Sequence, residues 1–172
     1  MEIKNTRKVR AVLVREGKIA VIKAKKSGAF MLPGGKLDEG ETYEETLRRE
    51  ILEETGIEIE LKNIEGPFFQ NEIEYQSTNE EGENIIKKTI TSFYLVTTQQ
   101  DFDYTKMKLT PREKERGSKP YWVNPGKLEY YLTNQRDNFK SSYARRYATE
   151  FLKVYGEYEQ FKRKNNVVDL IR

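Results

Sequence analysis

Three glutamates at positions 50, 53 and 54 are the residues whose types and spacing most directly suggest chemistry in this sequence. Residues three and four apart share one face of an α-helix, so Glu50, Glu53 and Glu54 would project their carboxylates together. Carboxylates held side by side repel one another, and a bound cation relieves that repulsion. Mg²⁺ and Mn²⁺ prefer oxygen ligands of this kind. The spacing therefore predicts a divalent-metal site on one helix face.

The residues around these glutamates predict a short helix with clear start and stop signals. Thr42 followed three residues later by Glu45 is a capping box, in which each side chain accepts a hydrogen bond from the other's backbone N–H. Gly56 is the residue type that commonly ends a helix in the left-handed conformation. Leu47 and Ile51 recur four residues apart and are expected to face the core. The acidic stripe would then lie at the edge of a cleft.

The motif that contains these glutamates extends over nine positions. They are Gly35, Glu41, Arg49, Glu50, Ile51, Glu53, Glu54, Gly56 and Ile57. Their types and spacing resemble the complete signature of the Nudix (MutT-like) hydrolases, and no position departs from it. A solvated acidic helix face with arginine pairs is the alternative interpretation, and so complete a match disfavours it.

This resemblance implies roles for individual residues of the helix. Glu50, Glu53 and Glu54 would hold Mg²⁺, or Mn²⁺ in its place, with the backbone carbonyl of Gly35 or of the preceding glycine reaching the metal. Glu50 would bridge ions or orient the attacking water. Arg49 would orient a neighbouring glutamate.

Residues outside the acidic stripe also take roles by the same resemblance. Glu41 would support the metal site or its loop, and Gly56 would end the helix. In several Nudix hydrolases a carboxylate from a later loop joins the metal site or takes the proton. Segment 101–119 is polar, lacks clear periodicity and is predicted to be such a loop. Glu113 and Glu115 are its candidates, and ordinary loop glutamates explain each of them equally well.

Histidine and cysteine are both absent from the chain. Ser-His and Cys-His nucleophilic pairs and histidine-ligated zinc sites are therefore excluded. Proton transfers near neutral pH would fall to carboxylates, lysine, tyrosine or metal-bound water. The lack of a disulfide framework agrees with a cytoplasmic location. Neither a secretory signal nor an apolar run of about eighteen residues is present, so no membrane partner is expected.

The remaining pattern predicts an α/β fold. Segments 8–15 and 18–25 alternate apolar and charged residues on either side of Glu16-Gly17, which is typical of a β-hairpin. Segments 57–61 and 85–98 also have strand character. With the acidic helix on one side and C-terminal helices on the other, this predicts a Nudix-type α/β/α sandwich with a mixed β-sheet, as the resemblance also implies.

The last third of the chain is predicted to be helical. Asn124-Pro125 is a typical N-cap and first helical residue, and opens a short helix to about Leu132. A second helix carries aromatic residues that are mostly four apart: Phe139, Tyr143, Tyr147, Phe151, Tyr155 and Tyr158. Core packing is the favoured explanation for this stripe, with a base-stacking platform or a homodimer seam as alternatives. Residues 1–172 are therefore predicted to be a single domain, with 125–172 its helical C-terminal part.

Charge is distributed unevenly along the chain. Residues 1–103 contain 15 basic and 20 acidic side chains, whereas residues 104–172 contain 16 basic and 8 acidic ones. A basic last third would steer polyanions such as nucleotides or RNA toward the protein. A solvated basic helical surface is the plainer explanation, because no RNA-binding motif accompanies the charge.

The leading functional hypothesis is a metal-dependent hydrolase of the phosphoanhydride bond in a nucleoside diphosphate linked to another moiety. Clustered divalent ions neutralise phosphate charge and hold a water molecule in line for attack. Two alternatives stay open: a pyrophosphohydrolase acting on RNA 5′ ends, and a non-catalytic nucleotide- or RNA-binding module on the same fold. No residue is assigned to the substrate, because no motif selects among nucleotide substrates.

Overall fold

A mixed β-sheet forms the centre of the computed structural model, which describes the backbone of residues 1–171 and the side chains of residues 1–164. In chain order its strands are β1 (Glu2–Arg15), β2 (Lys18–Ala24), β3 (Phe30–Met31), β4 (Gly34–Lys36), β5 (Ile64–Thr78), β6 (Asn84–Thr97) and β7 (Ser118–Val123). Their order across the sheet is β3-β2-β1-β6-β5, with β4 paired to β1 and β7 paired to β2. β1 and β6 run parallel, whereas the other pairs are antiparallel.

Helices cover both faces of this sheet. They are α1 (Tyr43–Thr55), α2 (Pro111–Arg116), α3 (Pro125–Asn138) and α4 (Ser142–Ile171), together with a 3-10 turn at Leu61–Asn63. Leu47 and Ile51 of α1 pack with Val9 of β1 in one buried cluster. On the opposite face, Phe151 of α4 packs with Val12 of β1. The predicted α/β/α sandwich is confirmed. Among the described residues, no helix has both the length and the apolar character needed to cross a membrane.

The central strand β1 contributes side chains to both cores. Val9 and Leu13 face α1, whereas Val12 faces α3 and α4. Because side chains alternate along a strand, Lys8 and Arg10 lie on the same face as Val12. The strand therefore places two basic residues on the side of the sheet that α4 covers.

The capping signals predicted for α1 are confirmed. The Thr42 hydroxyl accepts a hydrogen bond from the Glu45 N–H at 3.1 Å, and the Glu45 carboxylate accepts one from the Thr42 N–H at 3.2 Å. Gly56 ends the helix with a φ of 76°. Its α-carbon lies against the backbone carbonyl of Asp103, which leaves no room for a side chain.

Segment 57–61, predicted as a strand, is not one. Ile59 is buried against α1, as the alternation indicated, but the backbone of this segment pairs with side chains instead of with a strand. The Gln100 amide accepts from the Glu58 N–H at 3.2 Å and donates to the Glu58 carbonyl at 3.0 Å. Arg48 Nε donates to the Ile59 carbonyl at 2.7 Å. The local alternation thus indicated the burial of Ile57 and Ile59 but not the exposure of Leu61, and it did not reveal where the backbone hydrogen bonds go.

Segment 101–119, predicted as an irregular loop, contains helix α2. The Thr110 hydroxyl accepts from the Glu113 N–H at 3.2 Å, and the Glu113 carboxylate accepts from the Thr110 N–H at 2.9 Å. Gly117 ends the helix with a φ of 68°. A search for periodicity misses this element because its six residues make fewer than two turns. The Thr-Pro-x-Glu start and the glycine stop are nevertheless present in the sequence.

The aromatic stripe of the C-terminal part has two destinations. Phe151 and Tyr158 are buried in the core beneath α4, as predicted. Tyr143 and Tyr147 pack at the edge of a smaller core cluster and also line a cleft. Phe139 lies in the turn after α3, which is longer than predicted. Core packing therefore explains only part of the stripe.

We expect Gly56→Ala to lower the free energy of unfolding by about 3 kcal/mol, because the new methyl group meets both backbone strain and the Asp103 carbonyl. Gly40→Ala is the matched control, since Gly40 has a φ of 82° and open space around its α-carbon. Strain alone should cost the control variant about 1 kcal/mol. Urea unfolding measures both values. Equal losses would show that the Asp103 contact does not constrain the end of α1.

Candidate active site

Arg49 holds four carboxylates around one guanidinium group. Its Nη1 donates to Glu50 at 3.1 Å and to Glu53 at 3.3 Å, and its Nε donates to Glu41 at 3.0 Å. Asp38 lies 3.2 Å from Nη2. The hydrogen bonds with Glu41 raise the pKa of Arg49 and lower the pKa of Glu41. Arg49 therefore orients both helix glutamates and ties the preceding loop to α1.

Glu54 is the buried acid of this helix. Only 5% of its surface is exposed, and one carboxylate oxygen accepts a hydrogen bond from the Gly34 N–H at 3.0 Å. Burial raises the pKa of Glu54 well above its usual value, with Arg10 opposing the shift and Glu50 adding to it. Burial also raises the pKa of Glu50. Both carboxyl groups would lose this electrostatic penalty if a cation bound beside them.

Two glycines allow the backbone of β4 to approach the acidic helix. Gly34 has a φ of 150°, and a side chain there would overlap the Val9 carbonyl. At Gly35, the Glu50 carboxylate occupies the space in which a β-carbon would lie. Pairing of β4 with β1 places Gly34 opposite Arg10. Gly35 therefore lies beside the acidic stripe, while contact of its carbonyl with a metal ion stays a prediction.

The chain before α2 is hydrogen-bonded to the end of α1. The Asp103 N–H donates to the Thr55 carbonyl at 3.0 Å, and the Lys108 N–H donates to the Glu53 carbonyl at 2.8 Å. The last carbonyls of a helix have no partner within the helix, so this segment satisfies groups that would otherwise need water. These bonds fix the position of α2 relative to α1.

Glu113 of α2 lies at the cleft, and Glu115 does not line it. Glu113 lines the same cleft as Glu50 and Glu54, and its charge contributes to the raised pKa of both. Glu115 instead lies 3.8 Å from Lys26 in an exposed ion pair. The Glu113 carboxylate accepts a hydrogen bond from the Thr110 N–H, which holds this carboxylate in place.

Basic and tyrosine side chains form much of the remaining cleft. They are Lys8, Arg10, Arg112, Arg116, Tyr143 and Tyr147. Arg10 Nη1 donates to the Leu32 carbonyl at 2.7 Å, and its guanidinium lies 5.6 Å from the Tyr147 ring centre. Arg116 Nη1 donates to the Tyr143 hydroxyl at 3.1 Å. Sequence reasoning missed this group, although a buried face of β1 that carries Lys8 and Arg10 was a usable signal.

The acidic residues fit Mg²⁺ by chemical type, but they are not arranged as a finished ligand set. Within residues 1–164, no three acidic side chains converge as metal ligands would. Glu50 and Glu53 instead converge on Arg49. Their oxygens are the donors that Mg²⁺ prefers, and the raised pKa of Glu50 and Glu54 reflects burial first, with neighbouring glutamates adding to it. Each of these two carboxylates gives one oxygen to Arg49, so an ion bound to those same oxygens would replace the guanidinium.

The family model of the NUDIX domain matches residues 4–146, which include α1 and all of the sheet except the first two residues of β1. The chain belongs to the Nudix family. Over 63 residues this Nudix chain is 41% identical to the ADP-ribose pyrophosphatase of Methanocaldococcus jannaschii, covering 35% of this chain and 37% of that protein. Over 61 residues it is 41% identical to a MutT-like protein of Streptomyces ambofaciens, covering 35% and 40%. The chain spans less than half the length of the curated relatives it matches.

Solved structures support the Nudix fold over nearly the whole chain. An Ap4A hydrolase of C. elegans, in a binary complex, matches with a TM-score of 0.54 and 14% identity. The match covers 92% of this chain and 98% of that one. At this level of identity the likeness establishes the fold alone. The family predicted from the signature residues is confirmed.

We expect Arg49→Gln to lower the free energy of unfolding by about 1 kcal/mol in the presence of a chelator, because four partly exposed carboxylates lose their shared cation. Mg²⁺ should then stabilise the variant more than it stabilises the wild type, since the ion no longer competes with the guanidinium. Arg136→Gln is the control, because Arg136 pairs with the neighbouring Asp137 and not with α1. Thermal unfolding with and without Mg²⁺ gives both quantities. An equal Mg²⁺ effect in variant and wild type would contradict the competition.

Proposed function

We propose that this Nudix protein hydrolyses a phosphoanhydride bond in a nucleoside diphosphate linked to another moiety, with Mg²⁺ or Mn²⁺ as cofactor. The observation that carries the proposal is the composition of the cleft. Helix α1 contributes the acids Glu50 and Glu54, whereas Arg10, Arg112 and Arg116 come from β1 and α2. A diphosphate held by metal ions needs both: carboxylates for the ions, and guanidinium groups for the phosphate oxygens that the ions leave free.

Glu50, Glu53 and Glu54 would hold the metal, which would neutralise phosphate charge and promote deprotonation of water. A water oxygen then attacks one phosphorus atom, the bridging P–O bond breaks, and the bridging oxygen leaves with the other phosphate. Glu113 would accept the proton of that water, a role supported by its place in the lining of the same cleft as Glu50 and Glu54.

The guanidinium groups would bind and orient the substrate. Arg112 and Arg116 project from α2, whose position is fixed by the bonds between its preceding segment and α1. Tyr143 accepts a hydrogen bond from Arg116, which limits the directions that this guanidinium can take. Planar guanidinium groups bind phosphate oxygens in a bidentate manner, so an oriented arginine also fixes the direction of the phosphate.

The name of one relative supports the substrate class. The Methanocaldococcus jannaschii protein is an ADP-ribose pyrophosphatase, and ADP-ribose is a nucleoside diphosphate linked to a second sugar. The aligned 63 residues cover 37% of that protein, so this substrate is carried over as part of the proposal. Action on RNA 5′ ends, a homodimer and a cytoplasmic location stay predictions.

We expect Glu53→Gln and Glu54→Gln each to reduce turnover of ADP-ribose in Mg²⁺ by more than about a hundredfold. Loss of a group that only hydrogen-bonds to a metal ligand costs up to about a hundredfold, and loss of the ligand itself should cost more. Glu44→Gln is the matched control, since this residue lies in the first turn of the same helix and is neither a predicted metal ligand nor a partner of Arg49. Product release is also measured with a dinucleoside polyphosphate and a nucleoside triphosphate. If both variants kept wild-type turnover, the metal assignment would be wrong. A wild type inactive on all three compounds would favour a binding module.

The pH dependence of Mg²⁺ binding follows from the raised pKa of Glu50 and Glu54. Between the usual carboxyl pKa and the raised values, the folded metal-free protein binds more protons than the unfolded chain, so its stability should fall as pH rises. Mg²⁺ displaces those protons and should raise the melting temperature more at about pH 8 than at about pH 5. Thermal unfolding with Mg²⁺ and with chelator tests this, and Glu54→Gln should flatten the dependence. An equal Mg²⁺ effect at both pH values would contradict it.

A further inference from the structure

A second depression lies between β2, β7 and α3 and shares no lining residue with the active-site cleft. Its basic lining residues are Lys18, Lys23, Lys25 and Lys127, and we refer to it as the lysine groove. We propose that the lysine groove binds single-stranded nucleic acid. This proposal does not rest on the proposed hydrolase activity, because it uses other residues of the fold.

The charge of the lysine groove is of one sign. All four lysines are exposed, and no acidic side chain lines the groove among residues 1–164. None of the four pairs with an acidic side chain in the described part of the chain. The active-site cleft differs, since its arginines are interspersed with glutamates. Uncompensated lysines in a concave surface attract polyanions without any need for a metal ion.

Aromatic rings accompany the lysines. Tyr121 of β7 and Tyr131 of α3 leave 46% and 43% of their surfaces exposed. Phe30 and Phe139 are half-buried at the same surface, and the Lys23 ammonium lies 5.8 Å from the Phe30 ring centre. Exposed rings between lysines are the combination on which unpaired bases stack while the backbone phosphates meet the cations. A purely acidic peptide would use the lysines but would leave the ring faces without a partner.

Gln135 provides an independent indication of a ligand. It lines the lysine groove and is 3% exposed, and its Nε2 donates to the Gly28 carbonyl at 3.0 Å. Its Oε1 is buried and has no hydrogen-bond partner in the structure. A buried acceptor without a donor is costly. Because the atom is buried, a ligand would reach it only after a local shift of the Gln135 side chain. The amino and imino N–H groups of a base would then satisfy it, whereas phosphate groups and carboxylates carry no donor.

The spread of the lysines favours a strand over a mononucleotide. Lys18 and Lys23 are five residues apart on β2, which corresponds to roughly 16 Å along an extended strand. Lys127 extends the positive charge to α3. Several phosphates in series match such a distribution better than the phosphate group of one nucleotide. The bases must also be unpaired, because stacking on Tyr121 and Tyr131 needs free ring faces.

The test measures fluorescence anisotropy of a 3′-labelled oligouridylate and a 3′-labelled oligoadenylate with the full chain in chelator. We expect Lys23→Gln combined with Lys127→Gln to weaken binding by about tenfold at low salt and to reduce the salt slope by about 1.4, since each lost phosphate contact contributes about 0.7. Lys4→Gln combined with Lys153→Gln removes the same charge outside the groove. This control should change binding by no more than about twofold.

A second variant separates stacking from charge. Tyr131→Leu should weaken binding on the order of tenfold and leave the salt slope unchanged. The proposal is overturned if the lysine pair has no more effect than its control, or if Tyr131→Leu binds as well as the wild type. It is also overturned if a polyglutamate peptide binds as tightly as the oligonucleotides, or if excess ADP-ribose displaces them. Each substituted side chain is exposed, and unchanged melting temperatures would show that the variants fold.

Discussion

The interaction on which the site depends is the one between the Arg49 guanidinium and the acids around it. Without a cation, Glu41, Glu50 and Glu53 would repel one another and spread apart. Arg49 lies within hydrogen-bond distance of all three, so the acidic face of α1 stays assembled before any metal ion arrives. This network also opposes metal binding in part, because an ion bound to the Glu50 and Glu53 oxygens that Arg49 occupies would replace the guanidinium. Glu54 bonds to the Gly34 backbone instead and is held independently of Arg49.

A second constraint is the closeness of β4 to α1. The Glu50 carboxylate fills the space beside Gly35, and a side chain at Gly34 would overlap the Val9 carbonyl, so the two glycines let β4 fit between the helix and β1. The Gly34 N–H also donates to Glu54. The register of the sheet adds a third residue to this arrangement, because β4 pairs with β1 so that Gly34 lies opposite Arg10. This one short strand thus lies beside both Glu54 and Arg10, the buried acidic and basic residues of the cleft. A shift of β4 by one position would take the Gly34 N–H away from Glu54, and the hydrogen bond between them would be lost.

The parts of the fold that could be predicted from the sequence are those whose causes are local. The start and end of α1 were predictable because Thr42, Glu45 and Gly56 act within a few residues of one another. Segment 57–61 was mispredicted because its backbone partner, Gln100, is distant in sequence. Glu50 and Glu54 of the cleft lie within one motif, whereas its basic residues come from β1 and α2. Strand register and the hydrogen bonds to α1 bring these basic residues close to the acids. A local sequence pattern cannot predict that proximity.

The two anion-attracting surfaces differ in what they need in order to bind. In the cleft, Glu50, Glu54 and Glu113 offset the nearby arginines, so a polyphosphate gains little until metal ions neutralise the acids. In the lysine groove no described acid offsets the charge, so attraction there is the same with or without metal. Removal of metal ions by a chelator should therefore weaken polyanion binding at the cleft and leave polyanion binding at the lysine groove unchanged. If both proposals hold, such a difference would allow one polyanion to be held at the groove while the proposed hydrolysis at the cleft responds to metal supply. The difference follows from where the glutamates lie rather than from the net charge of the chain.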